Sequence, residues 1–87
     1  MSYAVYKYQI EVKTNPIVEM PKYAEILTIQ TKEGIPYIWA LTDIRAPNVR
    51  RHFRIIGTGF SINDPNDLTY IGSFQLCETQ EIYHVFE

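Results

Sequence analysis

The sequence predicts an all-β domain, a small antiparallel β-sandwich or partly open barrel of about six strands connected mostly as a meander. Apolar and polar residues alternate with a period of two in several runs, as half-buried strands require. Clusters rich in Gly, Pro, Asn and Asp separate those runs at short intervals. No segment combines a 3.6-residue apolar period with helix end signals.

Taken in order, Tyr6, Tyr8, Ile10 and Val12 alternate with Lys7, Gln9, Glu11 and Lys13, which makes a strand with one wet face. Thr14-Asn15-Pro16 breaks it. The piece Ile17-Val18-Glu19-Met20 lies between Pro16 and Pro21 and is expected as an edge strand or an extended connector. Residues 25–32 form the next strand, and Glu33-Gly34 turns the chain into a second strand over residues 35–42, a hairpin with Gly34 at positive φ. Pro36 cannot donate to a ladder, so its end of the strand is expected at solvent or at a bulge. On this strand Ile35, Tyr37, Trp39 and Leu41 share an apolar face and are expected to enter the core.

Residues 43–48 read as a loop, in which residues 46–51 admit one helical turn with Pro47 at its first position. Residues 49–56 return to strand and end at Gly57-Thr58-Gly59. Ser61-Ile62-Asn63-Asp64-Pro65-Asn66-Asp67 is a loop, and residues 69–76 and 81–86 form a terminal hairpin. With no repeat, linker or low-complexity tract, residues 1–87 are expected to be one β-domain.

Composition narrows the classes of function. Hydrophobic residues make up 46%, too many for a disordered chain. Aromatic residues make up 14%, more than so small a domain easily hides, so self-association into a homo-oligomer is expected. The net charge of -2 argues against general binding of duplex nucleic acid. Cys77 is the single cysteine, which rules out an internal disulfide and a Cys-rich zinc site; it is expected as a small buried hydrophobe. The absence of a long apolar run or a signal-type N-terminus leads to the expectation of a cytoplasmic protein without membrane association.

All four arginines, Arg45, Arg50, Arg51 and Arg54, fall within ten residues. Guanidinium forks suit phosphate, carboxylate and flat π-surfaces. Strand alternation sends Arg50, His52 and Arg54 outward, about 7 Å apart, and Arg51 to the side of Phe53 and Ile55. The candidate ligand-binding residues are Arg50, Arg51, His52 and Arg54, with Gly57 and Thr58 as a backbone cradle and Trp39 as a stacking platform. The plainer reading is a solvated strand face paired with acids on its neighbours.

Other chemistries lack their patterns. Gly57-Thr58-Gly59 has neither the ending of a P-loop nor the GxGxxG spacing. His52 and His84 fit no metal spacing, and His84, alternating with Ile82 and Phe86, is expected as a hydrogen-bonded core histidine. Asp64-Pro65-Asn66-Asp67 lacks the spacing of a calcium loop. No nucleophile–base motif or carboxylate pair is present, so neither an enzyme nor a cofactor is expected.

Several stretches resemble a family of very small, uncharacterised proteins of bacteriophages and bacteria. They are Tyr6-Lys7-Tyr8, Met20-Pro21-Lys22 with Ala24-Glu25-Ile26-Leu27, Trp39-Ala40-Leu41, residues 53–59, Tyr70-Ile71-Gly72 and His84-Val85-Phe86-Glu87. The resemblance implies a phage or prophage accessory protein, in the host cytosol if phage-encoded. Such a protein would bind a host protein or sequester a small host molecule. Two functions follow as expectations. One is a self-associating domain that captures an anionic ligand, such as a nucleotide-like signalling molecule, through the arginine strand as a counter-defence. The other is a protein–protein interaction or virion-associated module with no small ligand.

Overall fold

A computed structural model describes residues 2–87 and is all-β. Eight strands follow in order: β1 (Tyr3–Gln9), β2 (Ile17–Pro21), β3 (Glu25–Lys32), β4 (Ile35–Asp43), β5 (Asn48–His52), β6 (Arg54–Gly57), β7 (Tyr70–Gln75) and β8 (Ile82–Phe86). One turn of 3-10 helix, Pro65–Asp67, precedes β7. The strands form three small antiparallel sheets, ordered β1-β4-β3, β2-β5 and β6-β8-β7, with no closed barrel. The molecule measures 42 × 31 × 16 Å, the thickness of two packed sheet layers.

The β3–β4 hairpin turns through Glu33 and Gly34 at φ 53° and 81°. Two positive φ values in a two-residue loop match the right-handed twist of the strands. One core joins all three sheets, with Ile29, Ile38 and Ala40 from the first, Val18 and Met20 from the second, and Ile55, Phe74 and Val85 from the third. Thr42 is also fully buried and gives its hydroxyl proton to the carbonyl of Ala4 at 3.1 Å.

Several expectations are corrected. β4 presents Pro36, Ile38, Ala40 and Thr42 to the core, whereas Ile35, Tyr37, Trp39 and Leu41 face outward, half-buried or exposed. Both faces of this strand are apolar, so periodicity cannot rank them; the small side chains go where the sheets meet and the rings stay where there is room. Lys7 lies over the outer rings, its Nζ 4.7 Å from the Tyr37 centroid and 6.0 Å from that of Trp39.

Pro36 sits in the central strand of its sheet with its ring buried, and the bulge falls instead at Ile26/Thr28 on β3. Its carbonyl accepts from Ile10 N–H at 3.2 Å, so the missing N–H faces the side where the β1 ladder has ended at Gln9. Residues 46–51 make no helical turn, because Asn48 to His52 pair with β2. Cys77 lies exposed in the β7–β8 connection. Val85, fully buried, and Phe74, paired with Tyr83, mark the inner face of the third sheet, which leaves His84 on the outer one.

Candidate functional site

Residues 48–57 are one extended stretch that changes sheets at Phe53. Its first half pairs with β2, and beyond His52 the backbone continues beside residues 14–16, with Phe53 N–H bonded to Pro16 O at 2.9 Å and Ile55 N–H to Thr14 O at 3.0 Å. Its second half gains β8 on the other side. The side-chain alternation survives this change. Phe53 and Ile55 are buried, Arg50 and His52 are exposed, and Arg54 is half-buried.

The cluster therefore divides. Arg51 turns inward and is fully engaged. Its Nε and Nη2 donate to the two carboxylate oxygens of Glu87, each at 2.6 Å, and its Nη1 donates to the Ala24 carbonyl at 2.6 Å and lies 3.5 Å from Met20 Sδ. This clamp ties β5, the chain leading into β3 and the residue after β8. Arg45 stays local, 3.9 Å from Asp43. Arg54 donates from Nη1 to the Asn63 carbonyl at 2.6 Å, which holds the 61–67 loop against β6. Arg50 and His52 make no hydrogen bond or ion pair among the described residues. Glu19 is the Cα partner of Arg50 across the β2–β5 ladder, yet no ion pair joins them.

The outer face continues onto the third sheet. Arg54 is partnered by Phe86, and Ile56 by His84, which in turn faces Ser73 on β7. Phe86 meets the Tyr70 ring edge-on at 5.3 Å between centroids, and Tyr70 lies 6.5 Å from the His84 ring. Thr58 Oγ1 is 2.8 Å from His84 Nε2 and 3.1 Å from the Ile82 carbonyl. With its one hydrogen given to that carbonyl, the hydroxyl accepts from the ring N–H. The same outer surface thus carries Arg50, His52, Arg54 and His84 beside an aromatic pair.

Of the residues expected to bind a ligand, Arg50, His52, Arg54 and Thr58 come together here. Gly57 adjoins them, but the ring of Phe60 lies where a side chain would stand, 2.9 Å from an added Cβ. Arg51 is on the inner side. Trp39 is on the outer face of the first sheet, across the shared core, and its buried indole N–H has no hydrogen-bond partner among the described residues. The Tyr70–Phe86 pair was not foreseen as a platform, although the alternation of residues 81–86 already places Phe86 beside His84.

The depressions on this face are open ones, one beside Thr58 and one beside Tyr70, and a third reaches Arg50, which shares it with Lys13, Glu11 and Glu19. Among the described residues no group of three His, Cys, Asp or Glu side chains is placed to hold a metal ion, and no helix is long and apolar enough to cross a membrane. No curated protein and no solved structure matches the chain significantly. A family model described as "Domain of unknown function (DUF7352)" matches residues 1–87, and the chain belongs to that family.

Proposed function

We propose that the protein is a non-enzymatic binding domain that docks an acidic surface of a partner protein onto the outer face of β5, β6, β8 and β7. The observation that carries this reading is the unpartnered, exposed pair Arg50 and His52, continued by Arg54 and His84 and flanked by Tyr70 and Phe86. An open cationic face with aromatic anchors suits a protein surface better than an enclosed anion, since interfaces favour Arg and Tyr and set charge against charge.

Self-association is part of the proposal. The outer face of the first sheet exposes Tyr3, Val5 and Ile35 beside the half-buried Tyr37, Trp39 and Leu41, an apolar surface that a second copy would cover. A phage-type accessory role in the cytoplasm of a host cell is proposed on the sequence resemblance alone.

Fluorescence anisotropy of a labelled Asp/Glu-rich peptide tests the docking face. Saturable binding that weakens with salt, and that Arg50→Ala/Arg54→Ala abolishes, is the expected result. Equal binding by the double variant refutes it. A second reading, capture of a nucleotide-like anion, is favoured by the register that sets Phe86 opposite Arg54 across the β6–β8 ladder. Thermal stabilisation by nucleotides, lost in the same variant, would select that reading.

A further inference from the structure

A cleft of about 790 Å³ opens at the end of the domain where residues 9–12, the β3–β4 turn and the β7–β8 turn converge. That volume falls within the roughly 300–1,000 Å³ of small-molecule sites. It shares Glu11 with the depression that reaches Arg50, and none of the arginines, histidines or rings of the cationic face. Ile10 and Pro36 are buried and Leu76 is half-buried, so the floor is apolar. Glu11, Glu33 and Glu78 are exposed and form the rim.

Two features of the rim give the cleft a chemical preference. Among the described residues no Lys, Arg or His lines it. None of its three carboxylates has a hydrogen-bonding or ionic partner for its side chain among the described residues. Negative charge therefore rims an apolar floor with no cationic side chain lining the cleft itself; Lys13 and Arg50 share the neighbouring depression with Glu11. We infer that this cleft binds a small organic cation with an aliphatic body, an alkylamine in chemical class. Its hydrocarbon lies on Ile10, Pro36 and Leu76, and its ammonium group sits among Glu11, Glu33 and Glu78. Among the described residues no aromatic ring lines the cleft, so the preference is for an aliphatic rather than a stacking ligand.

Cys77, the single thiol, lines the same cleft and is exposed, which makes its alkylation a report on occupancy. The test follows iodoacetamide modification of the full chain in the presence of n-octylamine, with octanoate as the matched anion. Octylammonium is expected to slow modification saturably and octanoate to leave it unchanged. Amide NMR shifts on titration should concentrate in residues 9–12, 33–36 and 76–79. Glu33→Gln/Glu78→Gln should keep its melting temperature and bind the amine roughly tenfold more weakly, the loss of one charge-assisted contact or more. Equal protection by amine and octanoate, protection unchanged in the variant, or no protection at millimolar amine each overturns the inference. Protection that depends on protein concentration without amine also overturns it, since a second copy would then be the occupant. Failure here leaves the acidic-surface proposal intact, because Glu33 and Glu78, the residues the variant changes, line the cleft and not the depression at Arg50.

Discussion

Replacing Arg51 by Met keeps most of the apolar stem and removes the guanidinium fork, which isolates the clamp. Three contacts of 2.6 Å are lost, two to Glu87 and one to the Ala24 carbonyl. Breaking a fully buried pair costs about 3–5 kcal/mol, whereas an exposed pair is worth about 0–1 kcal/mol. The Arg51 and Glu87 side chains are 21% and 29% exposed, so water reaches part of the site and replaces part of the loss. An intermediate cost of about 2–3 kcal/mol follows, consistent with hydrogen bonds to charged groups. A domain of this length is stable by roughly 4–13 kcal/mol, so the variant remains folded but melts roughly 8–24 °C lower. Urea and thermal unfolding followed by circular dichroism measure both quantities. A loss below about 0.5 kcal/mol would mean that Arg51 is an ordinary solvated charge and would refute the argument. A double-mutant cycle with Glu87→Gln should return a coupling of about 1–2 kcal/mol.

Further expectations concern the turn, the core and alkaline stability. Glu33 holds φ 53°, which a glutamate adopts at a cost, so Glu33→Asn should stabilise by about 0.5–1 kcal/mol; an unchanged or lower melting temperature contradicts that reading. Phe53 is buried at the point where the strand changes sheets, and Phe53→Ala should cost about 3–5 kcal/mol in urea unfolding; a cost under 1 kcal/mol would show that the site is not packed. Tyr83 O–H donates to Glu81 Oε2 at 2.5 Å, and this bond, with burial and the nearby carboxylate charge adding to it, raises the phenol above its ordinary value of 10.0. A raised folded value means stability present below pH 10.0 and lost as the pH climbs through the raised value. Stability measured from pH 8 to pH 11 should therefore fall less in Tyr83→Phe than in the wild type, and parallel curves would dismiss the effect.

Where local pattern and tertiary demand agree, the fold could be read from the chain. The strand over residues 25–32, the Glu33-Gly34 turn and the terminal hairpin stand where alternation and turn chemistry place them. The outward direction of Arg50, His52 and Arg54 also follows from period two alone, since Phe53 and Ile55 must enter the core. What escaped the sequence is non-local. β4 is apolar on both faces, and only the sheet packed against it decides that Ala40 rather than Trp39 goes inside. The division at Phe53 depends on which strands flank each half. Arg51 stands out beside Phe53, but Glu87 lies 36 residues away and no local pattern pairs them. The average behaviour of cysteine puts Cys77 in the core, while its position in a hairpin connection leaves it exposed.

The central claim is a division of labour within one arginine cluster, with Arg51 holding the fold and Arg50 facing a partner. Measuring melting temperature and acidic-peptide affinity together for Arg50→Ala and Arg51→Met tests it most directly. Arg50→Ala should melt as the wild type does, within about 0.5 kcal/mol of stability, and lose affinity at least severalfold. Arg51→Met should lose about 2–3 kcal/mol of stability and, at a temperature where it remains folded, retain affinity. If both variants lose stability and binding in the same proportion, the cluster is a single electrostatic patch and the division does not exist.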